Sequence, residues 1–368
     1  MRGRPAPPPP RRRRHRGPRA RAREPPPSPS PHTRRHEHST PHPGYDARAA
    51  HEFAMEHGIA VRAIAVEVAD AAEAFAECVR HGARPVLPPA RLAGAEGEGA
   101  VTVSEVGLYG DAVLRWVSGD VGRTPFLPGY AAVGPPGPAG DFGVERLDHA
   151  VGNVPELVPV VEYLMRATGF HEFAEFTAED VGTVDSGLNS MVLASDNEQV
   201  LLPVNEPTFG TRRKSQIQTY LEQHQGPGVQ HMALRTGDIF RTVRAMRERT
   251  GRGGFDFMPR ASAAYYRDLP ARIGGALTAD EYRACEELGI LVDRDDQGVL
   301  LQLFTAPIGD RSAVFLEIIQ RLCPAEERLR AEGRTGADAE VGGCGGFGKG
   351  NFSELFKSIE DYERTLDV

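Results

Sequence analysis

The sequence predicts an α+β protein built from tandem β-α-β-β-β modules, and three observations support that prediction. A histidine in a short apolar strand precedes a helical pattern twice, at His149 and His231, and Thr-Gly follows at the same offset, ending at Gly169 and Gly251. A similar strand and helix begin near Ala63, so the three starts lie 86 and 82 residues apart. Short runs of alternating apolar residues follow each start, which is typical of half-buried strands. We therefore predict three modules whose sheets pair and curl around a shared cavity into open barrels.

The first 44 residues are predicted to form a disordered Arg/Pro-rich arm. Residues 1–36 contain twelve Arg and one acid, Glu24, a balance of +11 that leaves −19 for the rest of a chain with net charge −8. Thirteen of the 30 prolines precede residue 44, and such a composition cannot bury a core. The arm is a candidate organelle-targeting segment. It lacks the interleaved aromatics of a nucleic-acid surface and the body is acidic, so no nucleic-acid partner is expected.

The composition of the whole chain is that of a soluble globular protein with room for two domains. It has 368 residues, of which 40% are apolar and 26% charged. No run approaches the roughly 18 uncharged apolar residues of a membrane span, and no apolar signal region follows the start. Its four cysteines, Cys78, Cys285, Cys323 and Cys344, are far apart in the sequence and are predicted to be free thiols.

Beyond the arm, the modules are predicted to form two domains. Residues 45–140 form a truncated N-terminal β-α-β-β-β domain without metal, because Ala63 stands where the other modules have histidine. A Gly/Pro run from Gly134 to Pro138 marks the linker, and residues 141–368 form the C-terminal domain with the candidate site. Apolar residues at helical spacing predict a helix over about 352–366. We expect it to close over the mouth of the cavity, the alternative being a helix merely packed on the barrel.

Three side chains on the predicted strands are candidate metal ligands. His149 and His231 occupy equivalent places in two modules, and Glu317 lies inside an otherwise apolar strand. A buried carboxylate without a partner is costly, and two histidines with one carboxylate form the facial triad of non-haem Fe(II) sites. Each residue alone is better explained as a hydrogen-bonded core residue, but the three together favour a metal. Their spacing does not choose iron over zinc or manganese.

Several long motifs, present in family order over residues 60–368, resemble plant-type 4-hydroxyphenylpyruvate dioxygenase. The motifs are Gly143-Val-Glu-Arg-Leu-Asp-His149-Ala-Val-Gly-Asn153, Leu202-Pro-Val-Asn-Glu-Pro207, Lys214-Ser-Gln-Ile-Gln-Thr-Tyr-Leu221, Val292-Asp-Arg-Asp-Asp-Gln-Gly-Val-Leu-Leu-Gln302, Phe315-Leu-Glu-Ile-Ile-Gln-Arg321 and Gly342-Gly-Cys-Gly-Gly-Phe-Gly-Lys-Gly-Asn-Phe352. The resemblance implies the vicinal oxygen chelate, or glyoxalase-like, fold. It also implies one Fe(II) per chain, held by His149, His231 and Glu317.

The same resemblance implies a reaction and its setting. An aromatic 2-keto acid, 4-hydroxyphenylpyruvate, and O2 give homogentisate and CO2, in tyrosine catabolism and in precursor supply for plastoquinone and tocopherol. A homodimer is implied, and no membrane partner. The expected location is cytoplasmic, or the plastid if the arm acts as a transit peptide.

Nine further residues are assigned by the resemblance to the cavity. The polar ones, which orient the keto acid or the phenol, are Ser190, Asn205, Gln216 and Gln302. The others, assigned to substrate binding, are Phe304, Phe347, Phe352, Pro203 and Gln230. Strand parity places Gln302 and Phe304 on one face and mixes polar with apolar groups, as a ligand cavity does. Gln230 has the opposite parity to His231, which favours a supporting role.

The chain departs from the family pattern in the number of modules. The family has four, whereas three are visible here, and the missing one is the first. The remaining N-terminal domain is therefore expected to expose apolar edges. Two alternatives follow: a catalytically impaired or inactive truncated paralogue, and a relative that forms hydroxymandelate from the same substrate.

Overall fold

Three β-α-β-β-β modules follow one another along the chain, as the internal repeat predicts. A helix, α1 (Ala47–His57), precedes module 1, which contains β1 (Ala63–Glu67), α2 (Ala71–Arg80), β2 (Pro85–Ala93), β3 (Ala100–Gly107) and β4 (Val113–Gly119). Module 2 contains β5 (Val144–Asn153), α3 (Leu157–Thr168), β6 (His171–Phe176), β7 (Leu188–Ala194) and β8 (Leu201–Pro207). The helix α4 (Gln216–His224) leads into module 3.

Module 3 has the same plan with two additional helices. It contains β9 (Gly228–Thr236), α5 (Ile239–Arg247), α6 (Ala263–Arg272), α7 (Ala279–Leu288), β10 (Leu291–Arg294), β11 (Val299–Phe304) and β12 (Phe315–Leu322). Two helices, α8 (Pro324–Ala331) and α9 (Phe352–Thr365), follow it.

The structure is a computed structural model, and these elements belong to one compact unit. It describes residues 42–93, 99–122, 126–130, 142–177, 187–210, 214–251, 255–309, 311 and 313–365, with side chains up to residue 359. Most of the predicted arm, the predicted linker at 134–138 and residue 366 lie outside the described residues. No helix within these ranges is long and apolar enough to cross a membrane.

The strand order shows that the three modules are equivalent. It is β1-β4-β3-β2 in module 1, β5-β8-β7-β6 in module 2 and β9-β12-β11-β10 in module 3, so the first strand always lies parallel to the last. The residues aligned by the repeat, Ala63, His149 and His231, each pair with the first residue of that last strand, which is Val113, Leu201 and Phe315 respectively. The sequence repeat is therefore a structural repeat.

Modules 2 and 3 join into one curled sheet. Their first strands, β5 and β9, pair antiparallel and produce an eight-stranded sheet in the order β10-β11-β12-β9-β5-β8-β7-β6. Helices pack on its outer face, with Ile239 and Val243 of α5 fully buried. The α+β architecture is the predicted one.

The backbone conformation explains why both modules have glycine in the repeated Thr-Gly pair. Gly169 ends α3 in the left-handed region, with φ 77°, and its N–H donates to the carbonyl of Met165. Gly251 follows α5 with φ 72°. A residue with a Cβ is strained at such φ values, so glycine is favoured at the end of α3 and in the turn that follows α5.

Module 1 packs its sheet against module 2. Ile64, Leu114 and Trp116 are buried in one apolar cluster with Leu157 and Leu164 of α3. These three side chains are therefore buried where module 1 meets module 2. The hydrogen-bonding edge of β1 has no strand partner among the described strands.

The prediction of four free cysteines is wrong for two of them. Cys323 and Cys344 form a disulfide across 21 residues, with Cα atoms 6.1 Å apart. Cys78 and Cys285 are free and buried. Sequence spacing did not reveal the pair because the chain after β12 leaves the sheet through α8 and returns to the end of the same strand.

Candidate metal centre

Three neighbouring strands bring the predicted metal ligands together inside the curled sheet. His149 lies on β5, His231 on β9 and Glu317 on β12, and all three are buried. The Nε2 atoms of His149 and His231 lie 3.2 and 3.3 Å from the same Glu317 oxygen, Oε2. One ligand atom from each side chain thus lies within 4.8 Å of the other two, which is a spacing that a single metal ion can bridge.

The outer nitrogen of each imidazole has its own acceptor. His149 Nδ1 lies 2.8 Å from Asp148 Oδ1, and His231 Nδ1 lies 2.9 Å from Gln230 Oε1. When Nδ1 donates to these oxygens, the lone pair of Nε2 is directed at the ligand cluster. Such hydrogen bonds orient metal-binding histidines in proteins generally.

Two β-bulges explain how neighbours of opposite parity reach the rings. On β5, Leu147 pairs with Leu234 and His149 with Ala233, so Asp148 has no partner in the ladder. On β9, Gln230 is the unpaired residue, since Val151 pairs with His231 and Gly152 with Val229. A bulge re-aims the side chain of its extra residue. Gln230 therefore contacts His231 despite its opposite parity, and it also borders the cavity.

The carboxylate of Glu317 is ionised at neutral pH. Burial alone would raise its pKa, but the hydrogen bonds and charges of the two facing histidines lower it to about 2. A charged carboxylate and two imidazole nitrogens that converge in a buried site are a suitable donor set for a divalent cation.

One cavity adjoins the metal ligands, and all twelve predicted site residues border it. Its lining comprises His149, Val151, Phe176, Leu188, Ser190, Val192, Pro203, Asn205, Gln216, Gln230, His231, Gln302, Phe304, Phe315, Glu317, Phe347, Gly348, Phe352, Leu355, Phe356 and Ile359. Most of these are apolar or aromatic, with a few amides and one hydroxyl between them, as in small-molecule sites. None of these lining residues is Lys or Arg, so an anionic ligand would depend on a metal for its counter-charge.

Aromatic rings pack around the two histidines. The Phe347 ring lies 5.3 Å from that of His149, and the Phe304 ring 6.0 Å from that of His231, both edge to face. Phe315, which the site prediction did not include, stacks on His231 at 4.8 Å between ring centroids. Its place as the first residue of β12, paired with His231, was the signal that could have identified it.

The polar lining comes from four separate elements. Ser190 and Asn205 are paired neighbours on β7 and β8, and Gln302 is buried on β11. Gln216 is the first residue of α4, after Ser215, whose hydroxyl accepts from Ile217 N–H and donates to the Gly187 carbonyl. That cap fixes where α4 begins and so where Gln216 stands.

The helix α9 borders the cavity through its apolar stripe. Phe352, Leu355, Phe356 and Ile359 all line it, and Phe356 is fully buried. The helix spans Phe352–Thr365, close to the range expected. That α9 closes over the mouth of the cavity stays a prediction.

The chain resembles known proteins in both sequence and fold, although no family model matches it. It is 57% identical over 329 residues to the 4-hydroxyphenylpyruvate dioxygenase of Daucus carota, covering 89% of this chain and 72% of that protein. The Arabidopsis thaliana 4-hydroxyphenylpyruvate dioxygenase is 56% identical over 331 residues, with the same coverage. A solved mutant of 4-hydroxymandelate synthase from Streptomyces coelicolor superposes with a TM-score of 0.66, at 23% identity over 87% of this chain and 82% of that one. At that identity the structural likeness concerns the fold alone.

Proposed function

The chain belongs to the 4-hydroxyphenylpyruvate dioxygenase family, and from that premise we propose that it converts 4-hydroxyphenylpyruvate and O2 to homogentisate and CO2. The observation that carries the proposal is the convergence of two imidazoles and one carboxylate at the wall of an apolar cavity. The cavity combines an aromatic lining, suited to a phenol ring, with a metal centre suited to a 2-keto acid.

We propose that His149, His231 and Glu317 hold one Fe(II). Two neutral imidazoles and one carboxylate are the donor set of non-haem Fe(II) oxygenases, and they leave positions open for other ligands. Bound Fe(II) supplies the electron-transfer chemistry that O2 requires, while loss of CO2 from the keto acid supplies the reducing equivalents.

The lining side chains bind and orient the substrate. Phe304, Phe347 and Phe352 form the apolar wall for the phenol ring, since aromatic pairs favour edge-to-face or offset packing. The polar groups of Ser190, Asn205, Gln216 and Gln302 bind the oxygen atoms of the substrate, and Pro203 and Gln230 border the same space. The apolar stripe of α9 excludes water from the reacting atoms.

Two further properties complete the proposal. We propose a homodimer, to be tested by sedimentation velocity on the full chain. The compartment is the cytoplasm, or the plastid if the basic arm acts as a transit peptide. A fluorescent fusion with and without residues 1–44 distinguishes the two.

Anaerobic reconstitution of the full chain with Fe(II) tests the reaction. O2 uptake is then measured with 4-hydroxyphenylpyruvate, and the product is identified. His231→Ala removes one ligand, and His171→Ala, on β6 with its side chain 44% exposed, is the matched control. We expect homogentisate from the unmodified chain and from H171A, and none from H231A.

The other outcomes separate the alternatives. Hydroxymandelate as the product would support the alternative in which the side chain of the substrate is oxidised and its ring is left intact. Iron binding without product would indicate an impaired paralogue. A folded chain that binds no Fe(II) would contradict the assignment of the three ligands.

A further inference from the structure

Arg321 connects the metal centre to the glycine-rich run, defined here as residues 342–350. It stands on β12 four residues after Glu317, and its side chain is fully buried. Its Nη1 donates to the carbonyls of Cys344 and Gly346, at 2.8 and 2.7 Å. Its guanidinium carbon lies 5.5 Å from the centre of the Phe347 ring. One side chain thus holds the backbone just before an aromatic residue, Phe347, that borders the cavity.

The other edge of the same guanidinium binds the carboxylate that orients a metal ligand. Nε and Nη2 of Arg321 donate to Oδ2 and Oδ1 of Asp148, at 3.0 and 2.8 Å, as a bidentate fork. Asp148 Oδ1 also accepts the hydrogen bond from His149 Nδ1.

The Asp148 side chain, held by this fork, has little freedom to turn. Both of its oxygens are committed to Arg321, and the bulge on β5 fixes its backbone beside His149. Planar bidentate pairing is specific to arginine, because a lysine ammonium is a point charge that does not reproduce the fork. The ring of His149 therefore depends on Arg321 for its orientation.

We infer that Arg321 and Asp148 are positioning residues that couple the placement of the glycine-rich run, and of Phe347 within it, to the orientation of His149 toward the metal. The inference rests on the proposed function, because it takes His149 as a ligand of Fe(II). In this arrangement a displaced glycine-rich run releases Arg321, which releases Asp148 and then the His149 ring.

The chain contains a matched control for a purely structural role. Arg235 also stands four residues after a predicted ligand, His231, and is also buried in a bidentate pair, here with Glu326 of α8. That pair has no hydrogen bond to a ligand histidine among the described contacts. Arg321→Lys and Arg235→Lys therefore break similar buried forks, and only the first should affect the metal.

The test uses Co(II) as a spectroscopic probe on the full chain without oxygen. Co(II) affinity and the visible absorption of bound Co(II) are measured for the unmodified chain, R321K, R235K and Asp148→Asn. Hydrogen exchange of the amides of residues 343–348 reports on the glycine-rich run. We expect R321K and D148N to lose about 10- to 100-fold in affinity, the usual range for such supporting residues, with an altered spectrum. R321K should also speed exchange in the run. R235K should leave the Co(II) affinity and spectrum unchanged, although its partner Glu326 accepts a hydrogen bond from Val341 N–H just before the run.

Each other outcome has a definite meaning. If the unmodified chain binds no Co(II), the proposed metal site fails and the inference with it. If the chain binds Co(II) and R321K keeps the affinity and spectrum of the unmodified protein, the inference alone is overturned. An equal loss in R235K would likewise overturn it, by showing a general effect of a broken buried pair.

Discussion

Acid pH should destabilise this fold through His224, the last residue of α4. Its side chain is buried, with its ring stacked 4.3 Å from that of His57 and 5.0 Å from that of Tyr220. Nδ1 donates to the Gly226 carbonyl over 3.0 Å. Burial lowers the pKa of His224 to about 4, and nearby charges on His57 and Arg311 act in the same direction, although the Gly226 bond and Asp111 oppose them.

The size and sign of this destabilisation follow from the difference between the pKa of His224 in the folded chain and in the unfolded chain. In the unfolded chain a histidine titrates near 6.5, so below that pH the unfolded state binds a proton that the folded state excludes. The free energy of unfolding is unaffected above pH 6.5 and falls between pH 6.5 and about 4. At about 1.4 kcal/mol per unit, the loss is about 2 kcal/mol by pH 5 and about 3 kcal/mol in full.

Urea unfolding of the metal-free chain at pH 7.5 and pH 5 measures this contribution. His224→Gln keeps a side-chain donor for the Gly226 carbonyl but does not titrate, so its unfolding free energy should fall less between the two pH values, by about 2 kcal/mol. His171→Gln, at a histidine whose side chain is 44% exposed, should behave like the unmodified chain. Equal pH dependence in H224Q and the unmodified chain would refute the reasoning.

Three further predictions concern close packing and the metal. Gly348 has φ 76°, and a Cβ there would overlap the Gln302 amide. Gly348→Ala should therefore lower the free energy of unfolding by about 1 kcal/mol through backbone strain, and it should also raise KM for the keto acid. The control Gly333→Ala, at φ 86° with open space around the new Cβ, should show only the loss of stability in urea unfolding. A Cβ on Gly152 would overlap the Tyr109 ring of module 1, so Gly152→Ala should lower the unfolding free energy by about 1–3 kcal/mol, and an unchanged urea midpoint would contradict that contact. Fe(II) at 100 times its Kd should stabilise the chain by about 2.7 kcal/mol in thermal unfolding, and chelation should reverse the gain.

Much of the architecture could be predicted from local sequence. The repeated histidine, helix and Thr-Gly offsets indicated equivalent modules, and the strand register aligns Ala63, His149 and His231 in the same way. Apolar alternation and helix-ending glycines are set by neighbouring residues, so they are visible without the fold. An acid in an apolar strand, Glu317, likewise indicated a buried partner.

The side chains that orient the two histidines were not visible in the sequence pattern. Two bulges aim Asp148 and Gln230 at the ligand rings, and strict strand alternation predicts the opposite side for both. A bulge depends on how two strands fit against each other, which neither strand shows alone. Parity arguments therefore placed His149 and His231 at equivalent positions but could not show that Asp148 and Gln230 hydrogen-bond to their rings.

The chain by itself determined the modules, their order and the residue types able to hold a metal, because those depend on periodicity and on chemistry carried by single side chains. The packing of distant segments decided the rest: the Cys323–Cys344 disulfide, the fork between Arg321 and Asp148 across 173 residues, and the apolar cluster that α3 shares with module 1. These contacts form between segments far apart in sequence, and their geometry exists only once the curled sheet has brought β5, β9 and β12 side by side.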